Sequence, residues 1–313
     1  MMKRFARAVY LLVLILALTF STFAQDNTPK DELFGKIAKL TQTKKPADTE
    51  KAYQLGKDFV AKYGKDNDDK AKKIKDFVDK YRLAAFDKKL NENKTAEAFA
   101  LGKEILAQEP ENSYVTMNLA YGGYDALLKS KDKTFADESV KYARQTLSLF
   151  EAGKLPNTFQ PFKDQAEVTA LMYYVIANFA MDTNFKEAAQ NFYKSIQYEA
   201  QFKKNSYPYY IISFYYEKEY EKAAAEYQTK YGNVTKEDSE MKAAQAKLER
   251  LIDRMLDAYA RAIKFGEAEK SPDTATWKKR FTDIYKFRNK NETGINEYLE
   301  KVSNTPMPDP SSL

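Results

Sequence analysis

Twice the chain places Gly-Lys after a leucine, in "LGKD" (55–58) and "LGKE" (101–104). A glycine-lysine pair is central to the loop that cradles nucleotide phosphates. That loop also needs a glycine five residues earlier to bend the backbone, and a Ser or Thr after the lysine to hold magnesium. Neither is present, and Asp58 and Glu104 follow instead, which excludes this route to nucleotide chemistry. "GKDNDDK" (64–70) gathers carboxylates as a calcium loop does. It lacks the turn glycine and the closing glutamate, so it reads as an acidic loop between helices. The chain contains no histidine and no cysteine. This removes Ser-His-Asp and Cys-His catalysis, HExxH zinc sites, zinc ribbons, disulfides and lipid attachment at a cysteine. The expectation is a protein that is not an enzyme and carries no metal or cofactor.

What remains is aromatic. Phe, Trp and Tyr make up 14% of the chain, and Tyr207, Tyr209, Tyr210, Tyr215, Tyr216 and Tyr220 crowd one stretch. Such rings either fill the gaps between packed helices or line a groove. Tyrosine suits a groove because it offers ring area and a hydroxyl at low entropic cost.

The elements that must position these rings are helical. Residues 52–67, "AYQLGKDFVAKYGKDN", and 98–112, "AFALGKEILAQEPEN", share Ala52/Ala98, Leu55/Leu101, Gly56/Gly102, Lys57/Lys103 and Ala61/Ala107. Ala98, Leu101, Gly102, Ile105 and Leu106 fall on one face of a 3.6-residue period, and Pro110 closes the segment. A glycine inside a helix costs about 1 kcal/mol relative to alanine. Its recurrence predicts that another backbone approaches at that point. Residues 236–268 keep Ala244, Leu248, Leu251, Ile252, Met255, Tyr259 and Ile263 on one face, predicting one long helix.

A second pair of phrases, "NFKEAAQNFYKSI" (184–196) and "EYEKAAAEYQTKY" (219–231), aligns at an offset of 35 residues. They match at Phe185/Tyr220, Ala188/Ala223, Ala189/Ala224 and Phe192/Tyr227. This pattern resembles the second helix of a tetratricopeptide repeat, whose period is about 34 residues. "NLAYGGY" (118–124) is similar to a first helix, and "SVKYARQTL" (139–147) and "MLDAYARAIKFG" (255–266) to second helices. The resemblance implies an all-α, right-handed solenoid of antiparallel helix pairs over residues 46–303. It follows residues 25–45, with a short amphipathic helix, and precedes a disordered tail at 304–313. It also implies that first helices line a concave surface. Carried onto this chain, that geometry selects Asn118, Tyr121, Tyr124, Tyr173, Tyr174, Tyr209, Tyr215 and Tyr216 as a groove for an extended peptide.

Residues 1–24 resemble an export signal. Lys3, Arg4 and Arg7 precede the apolar run "AVYLLVLILAL" (8–18), and Thr22 and Ala24 stand three and one positions before a cut ahead of Gln25. The apolar run is shorter than the roughly 20 residues of a membrane span. Cleavage would remove three positive charges from a formal net of +6, so the basicity of the whole chain is no nucleic-acid footprint. The expected function is an exported scaffold of the bacterial envelope, periplasmic or secreted, that binds a protein or peptide. It neither contacts nucleic acid nor inserts stably in the membrane. The alternative is a glycan-binding or glycan-processing helical-repeat protein of the periplasm.

Overall fold

The computed structural model describes residues 29–234 and 236–312. The predicted export signal, residues 1–24, lies outside them. Among the described residues there is no strand, and α-helices follow one another along the chain. The predicted repeat domain over 46–303 divides into two compact units, one ending at Pro110 and the other beginning at Glu111.

The first unit contains α1 (Pro29–Gln42), α2 (Pro46–Tyr63), α3 (Asp69–Asn91) and α4 (Thr95–Gln108), each packed on the next. Pro46 starts α2, where its missing N–H costs nothing. Asp68 caps α3, its carboxylate accepting the Ala71 N–H at 2.9 Å. Ile37, Phe59, Ile74, Phe77 and Val78 form the core. The acidic loop at 64–70 is a junction of helices, since Lys30 of α1 pairs with both Asp66 and Asp68, and Lys70 pairs with Asp31. The repeated glycine marks a close approach in α2, where a Cβ on Gly56 would lie 2.7 Å from Val78 Cγ2. The approaching group is a side chain of α3, not the backbone that the sequence suggested.

The second unit contains α5 (Ser113–Ser130), α6 (Ala136–Glu151), α7 (Gln165–Ala180), α8 (Phe185–Ser195), α9 (Ser206–Tyr231), α10 (Ser239–Glu269), α11 (Thr274–Asn289) and α12 (Ile295–Lys301). From α5 to α11 each packs on its successor, and α5 also touches α7. Side chains of Asn112, Asp164, Asn184, Asn205 and Asp238 accept first-turn N–H groups and so fix where α5, α7, α8, α9 and α10 begin. α10 runs as the periodicity predicts, with Leu251, Ile252, Met255, Tyr259 and Ile263 buried along one face.

Two expectations are corrected. The phrase at 219–231 is not a separate second helix, because α9 runs unbroken from Ser206 to Tyr231. Pro208 sits in its first turn, where proline is tolerated, and no glycine occurs until Gly232. Nothing breaks the helix where the repeat pattern required a turn. The tail is not loose either. Residues 302–312 pack on the helices, with Val302, Met307 and Pro310 buried. Proline content excludes a continuous α-helix there, but it does not exclude docking.

Candidate partner-binding cleft

The eight residues selected from the sequence do not assemble into an open groove. The Asn118 amide is spent within its own helix, donating to the Tyr114 carbonyl at 2.9 Å. Tyr124 and Tyr174 meet edge-on with centroids 6.0 Å apart, and Tyr174 continues to Phe192 and Phe202 in the core. Tyr209 stacks on Phe265 at 5.0 Å and donates its hydroxyl to the Lys203 carbonyl at 2.8 Å. Tyr215 and Tyr216 are 3% and 0% exposed. Burial pushes the hydroxyls of Tyr174 and Tyr215 up to about 12 and those of Tyr124, Tyr209 and Tyr216 further in the same direction. Only Tyr121 and Tyr173 remain half-buried, each in its own aromatic pair, with Phe162 and with Tyr198 respectively. The physical reason is common to all: the spacing that aims a ring away from solvent on one face also aims it at the neighbouring helix, and here the neighbour fills that space.

A different surface is open. α9, α10 and α11 leave a cleft of about 290 Å³ between them. Ile252 and Met255 of α10 and Ile284 of α11, all buried, close its base, and its accessible apolar surface lies at the edges, on Tyr220 and the 55%-exposed Phe287. Glu217 enters from α9 with only 9% exposure. Its Oε1 accepts the Tyr259 hydroxyl at 3.0 Å and the Arg280 Nε–H at 2.7 Å. Both donors meet the same oxygen, which fixes the carboxylate and keeps charge at the wall of the cleft. The Arg280 guanidinium is held more firmly protonated by Glu217. The Tyr259 hydroxyl is pushed up by burial and by that carboxylate.

Asp283 and Glu221, the latter paired with Lys218 at 3.5 Å, add two further carboxylates to the lining. Among the described residues no group of His, Cys, Asp or Glu side chains could hold a metal ion. The arrangement is suited to binding: an apolar surface beside a preorganised anionic one.

Sequence reasoning missed Glu217 because it reads as one solvated acid after a run of tyrosines. Its partner Arg280 lies 63 residues downstream, a separation that no local pattern reports. The available signal was an acid within the apolar run of α9, where a charge is buried only if paired.

No family model, no curated protein and no solved structure matches this chain.

Proposed function

We propose that the chain is a non-catalytic, exported binding protein of the bacterial envelope, whose partner is a polypeptide seated in the cleft between α9, α10 and α11. The observation that carries this reading is a cleft that sets the exposed ring of Phe287 beside the carboxylates of Glu217, Glu221 and Asp283. Such a lining complements a segment that presents a basic side chain beside an apolar one. Export rests on the pattern of residues 1–24. The finer architecture belongs to the same proposal: α5 with α6 and α7 with α8 are two tetratricopeptide-like pairs. The contact between α5 and α7 supports it, since first helices of successive units stack side by side in that family.

The test is site-specific photocrosslinking in the native host, with a reactive side chain at Phe287 and, as control, at the exposed Leu128 of α5. A discrete polypeptide adduct at 287 and none at 128 is expected, weakening as salt is raised. Equal labelling at both positions defeats the reading. Retention on cell-wall material without a polypeptide adduct replaces it with the glycan alternative.

A further inference from the structure

On another part of α10, residues 302–312 lie along the helices, with short 3-10 turns only at Val302–Asn304 and Pro310–Ser312. The segment touches α8 and α10. What holds it is addressed to its main chain. Arg261 Nη2 donates to the carbonyls of Val302 at 2.8 Å and Thr305 at 2.7 Å. Arg254 donates through Nη1 to the Asp309 carbonyl at 3.1 Å. Its Nη2 donates to the Ser312 carbonyl at 2.8 Å and the Ser312 hydroxyl at 3.0 Å. The Tyr216 hydroxyl of α9 donates to the Pro308 carbonyl at 3.3 Å. Prolines at 306, 308 and 310 have no N–H, so this stretch presents mostly acceptors, and arginine offers only donors. Met307 and Pro310 are the buried apolar residues of the stretch after Thr305.

The donors also have partners outside the segment. Asp257, one turn before Arg261 on α10, takes both its Nε–H at 2.7 Å and an Nη2–H at 3.1 Å, which sets the guanidinium plane. Arg254 lies over the Tyr216 ring, 5.8 Å from its centroid. A groove whose donors are prearranged, and which reads carbonyls and two small apolar contacts, recognises a backbone shape more than a sequence.

We propose that the groove formed by α8, α9 and α10 is a binding site for an extended, proline-bearing polypeptide segment, occupied in this structure by the chain's own residues 302–312. The occupant it takes in trans is a segment of the same chemistry: prolines at alternate positions, a methionine-sized apolar side chain between them, and free carbonyls facing the arginines. The cis segment acts as a competitor at the high local concentration that a short tether imposes, of millimolar order. This site is separate from the α9–α11 cleft and stands or falls without it.

The experiment uses the full chain carrying Met307→Asp, which places a charge in the apolar contact and releases the cis segment. A fluorescent peptide of residues 302–312 is titrated by anisotropy, with helical circular dichroism recorded on each protein. Saturable binding to Met307→Asp is expected, at least tenfold tighter than to the unaltered chain. Adding Arg254→Ala should weaken it tenfold or more. A peptide in which all three prolines are replaced by glycine should bind more weakly as well, because it must be ordered first. If Met307→Asp loses helical signal, Pro310→Ser serves as the releasing variant. Absence of saturable binding to a folded released variant overturns the proposal. So does binding that Arg254→Ala leaves unchanged.

Discussion

Gly123 of α5 is where the close packing of α6 can be measured. A Cβ built on it would stand 1.8 Å from Ser139 Oγ, 3.1 Å from Phe135 Cβ and 3.2 Å from Ser139 Cβ. Ser139 is fully buried, and its Oγ has no hydrogen-bond partner. Two opposing terms decide Gly123→Ala. Helix propensity favours alanine by about 1 kcal/mol. Overpacking at a contact this short costs about 1–3 kcal/mol, because either the hydroxyl must rotate or α6 must retreat. The net expectation is a loss of about 1 kcal/mol. Ser139→Ala should be neutral or gain about 1 kcal/mol, since it removes a hydroxyl that pays desolvation without a bond.

In the double variant the 1.8 Å clash is gone and two contacts just above 3 Å remain, so alanine at 123 should become close to neutral. The cycle therefore predicts a favourable coupling of about 1 kcal/mol. Urea unfolding followed by the fluorescence of Trp277 is the assay, because this one tryptophan lies in the second unit and reports it alone. If Gly123→Ala is as stable as the parent and the cycle shows no coupling, α5 and α6 do not approach as described.

The fate of the predicted tyrosines gives two further outcomes. Tyr215→Ala should lower stability by about 3–5 kcal/mol in the same assay, as truncation of a buried aromatic does. A groove residue would leave the midpoint unchanged. The hydroxyls of Tyr121, Tyr174 and Tyr215 are raised from 10.0 to about 12 by burial. Their folded values lie above the unfolded ones, so the stability they contribute is fully present below about pH 10 and is lost as pH rises towards about 12. Ultraviolet titration should show fewer tyrosinates near pH 10 in the folded chain than in urea. Equal numbers would mean the rings are solvated.

Helix existence was legible in the sequence, because it depends on local periodicity and on breakers a few residues apart. Residues 236–268 show this: one apolar stripe without an internal proline predicts α10, and α10 forms. Helix pairing was less legible. The Ala-plus-four-aromatic spacing at 188–192 and 223–227 looks the same in both phrases, yet Ala188, Ala189 and Phe192 are fully buried while Tyr227 on α9 is half-buried. The spacing records that a ring can nest over a small residue. Whether the chain turns beforehand is decided by what lies between, and Glu217-Lys218-Glu219 offers no stop.

The site was hidden for a related reason. Composition excluded histidine and cysteine chemistry, which a single sequence can do, because an absent atom cannot react. It could not say which of the many acids and arginines meet, since that depends on how α9, α10 and α11 are juxtaposed. The tyrosine groove inferred from spacing nevertheless had one element in common with the structure. Tyr216 does face an extended, proline-bearing backbone, and that backbone is residues 302–312 of the same chain. The ring is fully buried because the segment and the helices cover it together, so its burial does not separate a core residue from a binding residue. Removing the hydroxyl alone does: Tyr216→Phe keeps the ring packing and deletes the donor to Pro308 together with the hydroxyl's hydrogen bond from Arg254. It should therefore leave the parent's stability within about 1 kcal/mol while weakening peptide 302–312 on the released variant. A large loss of stability with unchanged peptide affinity would place Tyr216 wholly in the core and take it out of the groove.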